Sequence, residues 1–129
     1  LLESGAIDHF PKVIALQSEL CDPLYEAVQE GKDDAVAVDV KPTIAEGIAI
    51  GKPLRAKEIL AYAKKHDVTF ITAPENRLLA WREAMAKKGF YIEHTTAANF
   101  AAWEKYCEEH PGATDVLITL CGAGIKSDH

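Results

Sequence analysis

DVLITLCGAG, residues 115–124, joins an apolar, β-branched run to a cysteine and two glycines. A short apolar run bounded by turn residues is typical of a buried β-strand. In open α/β sheets, ligands bind beyond the carboxyl ends of the strands. The sequence therefore predicts a final strand over residues 116–120 that places Cys121 and Gly122 at a ligand-binding edge.

Upstream of this ending, predicted strands alternate with predicted helices. Short apolar runs predict further strands at residues 12–16, 68–71 and 90–92. Helical spacing of apolar residues predicts helices after Pro23, over residues 54–65, after Pro74 and after Thr95 or Thr96. Strands that alternate with helices pair in parallel through crossover connections. We therefore expect an α/β fold, with a mostly parallel sheet and helices on both faces.

Local signals also predict where helices begin and end. Asp22 and one of Thr95 or Thr96 are residue types that commonly cap a helix N-terminus with a side-chain oxygen. Gly31 and Gly89 follow two of the predicted helices and are typical helix stops. The two tryptophans lie in helical register with other apolar residues, so we expect both in the core rather than at a binding surface.

The composition argues against several classes of function. The 129 residues carry a formal net charge of -6 without a basic stripe, so nothing favours binding to nucleic acid or an anionic membrane. No apolar run approaches the ~20 residues that a membrane-spanning helix needs, and no signal-peptide pattern opens the sequence. We therefore expect one cytoplasmic α/β domain over residues 1–129. The three cysteines do not form a disulfide framework, so we expect reduced thiols.

The histidines give little support to a metal site. They stand at positions 9, 66, 94, 110 and 129, without the spacing of a zinc motif or a catalytic triad. We therefore expect no bound metal ion and mostly solvent-facing imidazoles.

Three short segments carry residues that could form a ligand site. They are TIAEG at 43–47, EHTT at 93–96 and CGAG at 121–124. Each has a structural interpretation, because threonines cap helical turns, glycines serve turns and cysteine is often a small buried hydrophobe. In the functional interpretation, Gly47 and Gly122 let a flat ligand approach the backbone, while Cys121 offers it a weak S–H donor. The residues alone leave both interpretations open.

In this order, the segments resemble the C-terminal portion of threonine synthase and its relatives among the fold type II, tryptophan synthase beta-like, pyridoxal-phosphate enzymes. The resemblance runs nearly from end to end. Its main stretches are KVIALQSE at 12–19, TIAEGIAIGKP at 43–53 and IEHTTAA at 92–98, the last similar to the family's E-P-[ST]-[SA]-A helix start. The resemblance implies that residues 1–129 belong to the large domain of such an enzyme, as the C-terminal segment of a longer chain. That the first residue is leucine rather than methionine agrees with this expectation.

The resemblance implies pyridoxal 5'-phosphate as the cofactor and gives roles to six residues. Cys121 matches the position that faces the pyridine nitrogen. Gly122 and Gly47 would line the ring, and Glu93 would lie near it. Ala45 and Glu46 would border the substrate.

The resemblance also implies that part of the machinery lies upstream. In the family, a lysine in a Ser-Phe-Lys-like motif holds the cofactor as a Schiff base, and a glycine-rich loop binds its phosphate. This sequence contains neither. Lys126 lies on the same loop as the ring-facing position and is a poor substitute, so we expect it to be a surface lysine. No catalytic residue is therefore assigned to this chain, and we expect it to be inactive alone.

Three positions depart from the family pattern. His94 stands where proline is usual, and Cys121-Gly122 replaces the Thr-Gly of synthases, a change that is nearer to some serine and threonine dehydratases. Gln17 corresponds to the acidic metal ligand of some racemase and dehydratase relatives. Because a neutral amide is poorly suited to a hard divalent cation, a metal-assisted racemase is disfavoured.

The implied activity is a lyase of threonine-synthase type, which converts O-phosphohomoserine and water to threonine and phosphate. A serine/threonine dehydratase or a cysteate-synthase-like enzyme is the nearest alternative. A non-catalytic α/β binding module is the alternative from another class. For an enzyme, the expected partners are an amino-acid substrate, the remainder of the same polypeptide and, by family resemblance, a second copy in a homodimer.

Overall fold

The computed structural model describes residues 1–127, which form two strands, four α-helices and two short 3-10 turns. The strands are β1 (Ile14–Ser18) and β2 (Thr69–Ala73). The helices are α1 (Pro23–Gln29), α2 (Ala56–Lys65), α3 (Glu75–Lys87) and α4 (His94–Glu109). The 3-10 turns cover Glu46–Ile48 and Gly124–Ser127. In residues 1–127, no helix is long and apolar enough to cross a membrane.

The two strands pair in parallel, as the alternation of elements predicts. The register runs from Ile14 opposite Thr69 to Ser18 opposite Ala73. Both α1 and α2 lie in the crossover between them, which is the connection that parallel strands require. The carboxyl ends of both strands therefore meet at one edge of the sheet.

Helices cover both faces of this sheet, so the predicted α/β architecture is confirmed. Successive residues of a strand point to opposite faces. In β2, Ile71 packs in a core cluster with α3 and α4, whereas Phe70 packs with α1 and α2. The tryptophans are partly buried against the α3–α4 side, as expected of core residues. Leu78 is 1% exposed at the centre of that side, and burial of such a side chain contributes about 1.5–3 kcal/mol.

Two predicted strands are wrong. Within the part of the chain that the structure describes, the sheet contains only β1 and β2, and residues 116–120 form no strand. The reason is that an open groove of about 740 Å³ separates them from β1, so their backbone has no neighbouring strand. Residues 90–92 contribute one isolated antiparallel bridge, between Ile92 and Ala123.

The helix starts also differ from the predicted caps. Asp22 occupies the N-cap position of α1, but its side chain makes no capping hydrogen bond. The buried Gln17 replaces it, because its Oε1 accepts from the backbone N–H groups of Leu24 and Tyr25 at 2.9 and 3.0 Å. These are donors that a helix N-terminus leaves unpaired. At α4 the N-cap residue is Glu93, likewise without a side-chain cap.

The predicted glycine stops are confirmed at two helices. Gly31 follows α1 with φ +66°, and Gly89 follows α3 with φ +92°. Both angles lie in the left-handed region, which glycine adopts without the steric cost of a Cβ.

Candidate functional site

The first turn of α4 joins two of the segments that the sequence singles out. The Gly47 N–H donates to Thr95 Oγ1 at 3.1 Å, and the Gly122 N–H donates to Thr96 Oγ1 at 3.2 Å. Neither threonine caps α4, since both lie inside its first turn. Their hydroxyls instead accept from the two glycine-bearing loops. The turn at 43–47 and the turn at 121–124 are thereby both fixed to one helix end.

Glu93 lies directly against Gly122. The Glu93 N–H donates to the Gly122 carbonyl at 3.1 Å, and a Cβ added at Gly122 would overlap the Glu93 carboxylate. A Cβ added at Gly47 would lie 2.8 Å from Thr95 Oγ1. Neither glycine has an unusual φ, and at both positions the missing side chain lets a residue at the start of α4 approach the backbone closely. The structure brings together Gly47, Glu93 and Gly122, three of the four predicted cofactor-binding residues.

Cys121, the fourth, has an exposed side chain. It lies on the wall of the groove beside β1, and the segment that precedes it is held by Asn99, whose Nδ2 donates to the Thr119 carbonyl at 3.2 Å. The thiol is therefore accessible, unlike that of Cys21, which is fully buried. The ring-facing role of Cys121 stays a prediction.

The two residues assigned to the substrate side have different surroundings. Glu46 is exposed and begins the 3-10 turn next to Gly47. Ala45 is 0% exposed and packs in the core with Ile71 and Leu78, so its methyl group supports the loop from below. The assignment of these two positions to the substrate side stays a prediction.

The loop at 43–47 is anchored by Glu75, a residue that sequence reasoning missed. Glu75 Oε1 accepts from the Ile44 N–H at 2.7 Å, and Glu75 Oε2 accepts from the Thr43 hydroxyl at 2.6 Å. The Thr43 Oγ1 in turn accepts from the Ala45 N–H at 3.1 Å, which closes a local turn just before the 3-10 turn, whose N-cap residue is Ala45. The only sequence signal was an acidic residue in the first turn of a helix, a common and unspecific pattern.

The structure also bears on the titratable residues. His94 is 2% exposed at the start of α4, contrary to the expectation of solvent-facing histidines, because it lies beside Arg82 under the loop at 91–93. His129 lies outside the described residues.

Burial and the neighbouring Asp22 raise the pKa of the Cys21 thiol. In the described part of the chain, no group of three His, Cys, Asp or Glu side chains is arranged to hold a metal ion.

Comparison with curated proteins finds two threonine synthases. The chain is 28% identical over 128 residues to the threonine synthase of Methanocaldococcus jannaschii, a match that covers 95% of this chain and 31% of that protein. It is 26% identical over 102 residues to the threonine synthase of Methanosarcina acetivorans, a match that covers 78% of this chain and 25% of that protein. The chain thus spans roughly a third or less of the length of these relatives.

Comparison with solved structures supports the fold. The crystal structure of a threonine deaminase from T.th. matches 81% of this chain and 36% of that chain, with a TM-score of 0.60 and 20% sequence identity. The match agrees with the expected α/β fold class.

A family model decides the assignment. The model described as pyridoxal-phosphate dependent enzyme matches residues 2–122, nearly the whole chain, including the segments 43–47 and 93–96 and the pair Cys121-Gly122. The chain belongs to the pyridoxal-phosphate dependent enzyme family.

Proposed function

We propose that residues 1–129 are a single α/β domain, the C-terminal segment of a longer lyase of threonine-synthase type. The intact enzyme would convert O-phosphohomoserine and water to threonine and phosphate. The observation that carries the proposal is the junction at the start of α4, where Gly47 is bonded to Thr95 and Gly122 is bonded to Glu93 and Thr96. Similarity to threonine synthases over most of the chain supports this reaction above others.

The residues at this junction fit the family's cofactor, pyridoxal phosphate. The two glycines have no side chains, so Thr95 and Glu93 pack directly against the two turns, and the exposed thiol of Cys121 adjoins one of them. When bound, pyridoxal phosphate supplies an electron sink for chemistry at the carbons of an amino acid. Gly122 and Gly47 would border its ring, and Cys121 would face the ring nitrogen.

The chemical type of each side chain suggests what it does. A thiol is a weak and neutral donor, so Cys121 would orient a ring nitrogen without placing a negative charge beside it. The Glu93 carboxylate, half-buried against Gly122, would close that edge of the ring to solvent. The exposed Glu46 would border the substrate, together with the backbone of Ala45.

Groups that hold the phosphate and the reactive aldehyde of the cofactor would come from the remainder of the polypeptide. The sequence contains neither a Ser-Phe-Lys-like motif nor a glycine-rich phosphate loop. We therefore propose that this chain is inactive alone, and that the intact enzyme is a cytoplasmic homodimer.

A serine/threonine dehydratase is the second candidate, because Cys121-Gly122 departs from the Thr-Gly of synthases. A cysteate-synthase-like replacement enzyme shares the same site chemistry. In the structure, the amide oxygen of Gln17 is already used by two N–H groups of α1, which is an argument against a metal-assisted relative at that position.

The test uses the full-length polypeptide from the intact gene. Phosphate release from O-phosphohomoserine is measured against keto-acid release from threonine. We expect phosphate release, which Cys121→Asp lowers strongly because a carboxylate there would stabilise the protonated form of the ring nitrogen, whereas Cys107→Asp on α4 serves as the matched control. Keto-acid release alone would favour the dehydratase. Absence of both, together with failure to bind pyridoxal phosphate, would favour a non-catalytic module.

A further inference from the structure

Arg82 lies in the middle of α3, outside the segments that form the candidate site, yet its guanidinium reaches two of them. Its Nε donates to the Ile92 carbonyl at 3.0 Å, and its Nη2 donates to the Gly124 carbonyl at 3.0 Å. The side chain is half-buried. One guanidinium therefore binds one backbone carbonyl from each of two segments, residues 91–94 and residues 122–124.

These two segments cross at the candidate site. Ile92 and Ala123 form an antiparallel bridge, in which the Glu93 N–H donates to the Gly122 carbonyl at 3.1 Å and the Gly124 N–H donates to the Tyr91 carbonyl at 2.8 Å. A Cβ added at Gly124 would lie 2.9 Å from the Ile92 carbonyl oxygen. The crossing is thus tight, but it consists of a single bridge and has no sheet on either side within residues 1–127. A single bridge of this kind is weak without further support.

The guanidinium supplies that support with a geometry that only arginine has. Besides the two carbonyls, Nη2 donates to the Tyr91 hydroxyl at 3.1 Å, and Nη1 lies 3.3 Å from His94 Nε2. The Arg82 Cζ lies 4.9 Å from the centroid of the Tyr91 ring, over its face. A planar fork can serve several acceptors in fixed directions, whereas a lysine ammonium is a single point donor on a flexible stem.

We propose that Arg82 is a positioning residue that locks the crossing of residues 91–94 with residues 122–124. The lock holds the turn at Cys121 and Gly122 against Glu93. Through its bonds to the two carbonyls, Arg82 acts on the backbone of this crossing rather than on a cofactor. The effect of Arg82 on cofactor binding rests on the proposed function. Its effect on the crossing of the two segments does not.

Hydrogen exchange in the full-length polypeptide tests the lock directly. The amides of Glu93 and Gly124 are the two donors of the crossing, so their exchange rates report its opening. We expect Arg82→Lys to raise both rates by about tenfold or more, because charge-assisted bonds to two carbonyls are weakened. Arg77→Lys on the same helix is the matched control, since Arg77 pairs with Glu104 and Glu108 instead. Equal exchange in the two variants would overturn the proposal.

A second readout separates positioning from a loss of folding. In the holoenzyme, bound pyridoxal phosphate gives a visible circular-dichroism band that depends on how its ring is held. We expect Arg82→Lys to change this band while the thermal midpoint stays close to that of Arg77→Lys. An unchanged band with faster exchange would overturn the link from the lock to the cofactor site. If the full-length polypeptide bound no pyridoxal phosphate, the proposed function would fail, and the exchange experiment would still decide the role of Arg82.

Discussion

Strand β2 and residues 116–120 are similar in sequence and different in structure. The first reads TFITA and the second VLITL. Thr69–Ala73 pairs along its whole length with β1, and its residues Phe70 and Ile71 are buried on opposite faces. The second segment borders an open groove, and Leu117 is 95% exposed. The composition of both segments therefore favours a strand. A strand forms only where the backbone has a neighbouring strand to pair with and other elements pack on both faces.

The same contrast applies to the two turns of the candidate site. The turn at 43–47 lies beside the paired strands β1 and β2, here called the paired half, and the turn at 121–124 follows residues 116–120, here called the unpaired half. The turn at 43–47 is fixed to the paired half of the molecule through Glu75, at the start of α3 just beyond β2. The turn at 121–124 has no strand behind it in the described residues and is held by its single backbone bridge to residues 91–93, by Thr96 and by Arg82. The first turn is thus fixed beside the paired strands, and the second is held by one backbone bridge and two side chains.

The largest predicted effect is a difference in unfolding free energy between two variants, each with one leucine truncated to alanine, one packed against the paired half and one in the unpaired half. Leu78→Ala removes a 1% exposed side chain from the core, and such truncations cost about 2–5 kcal/mol of unfolding free energy. Leu117→Ala removes an exposed side chain and should change stability by less than ~0.5 kcal/mol. Urea unfolding of the 129-residue chain measures both. A large cost of Leu117→Ala would mean that this segment is covered and paired in solution, and the contrast between the halves would be wrong.

The next largest predicted effect is a difference in labelling rate between a cysteine near the paired strands and a cysteine after the unpaired segment. Cys21 follows β1 and is 0% exposed, whereas Cys121 follows the unpaired segment and is exposed. Because burial raises the pKa of the Cys21 thiol, less of it is thiolate at any pH near neutrality. We expect Cys121 to react with a maleimide at least about a hundredfold faster, equivalent to ~2.7 kcal/mol.

Peptide mass spectrometry resolves the three sites in one sample, and the half-buried Cys107 provides an internal standard of intermediate rate. Comparable rates at Cys21 and Cys121 would show that the paired half opens as readily as the unpaired one. Slow labelling of Cys121 alone would place its thiol inside the protein, contrary to its exposed position at the groove.

Sequence patterns predicted those structural features that are determined by residues close together in the chain. The apolar periodicity of β1, β2 and the helices is local, and so are the left-handed stops at Gly31 and Gly89. The family resemblance then indicated that Gly47, Glu93 and Gly122 belong together, and the structure brings them together. What the sequence could not reveal are hydrogen bonds across long separations, because no local spacing encodes them.

Three such connections, together with one between residues seven and eight positions apart, were not predicted. Glu75 binds residues 43 and 44, Thr96 binds Gly122, Arg82 binds Gly124, and Gln17 supplies the cap expected of Asp22. The sequence indicated a helix start at Glu75, a helix cap at Thr96 and, by family resemblance, a metal-ligand position at Gln17, and no local signal marked Arg82. The strand predicted at 116–120 failed for the same reason, since pairing depends on which backbone lies alongside.

The smallest effect is expected at Thr96, which joins α4 to the unpaired half. Thr96→Val keeps the shape of a 2% exposed side chain but removes the acceptor of the Gly122 N–H. Loss of one such bond costs about 1 kcal/mol. Thr114→Val, at a position in the loop after α4, is the control, with no expected change in urea midpoint. The Gly122 amide should exchange faster only in Thr96→Val, because its bond to the hydroxyl is the connection removed. Equal stability and equal exchange in the two variants would mean that the turn at 121–124 is held without the bond from Thr96 of α4.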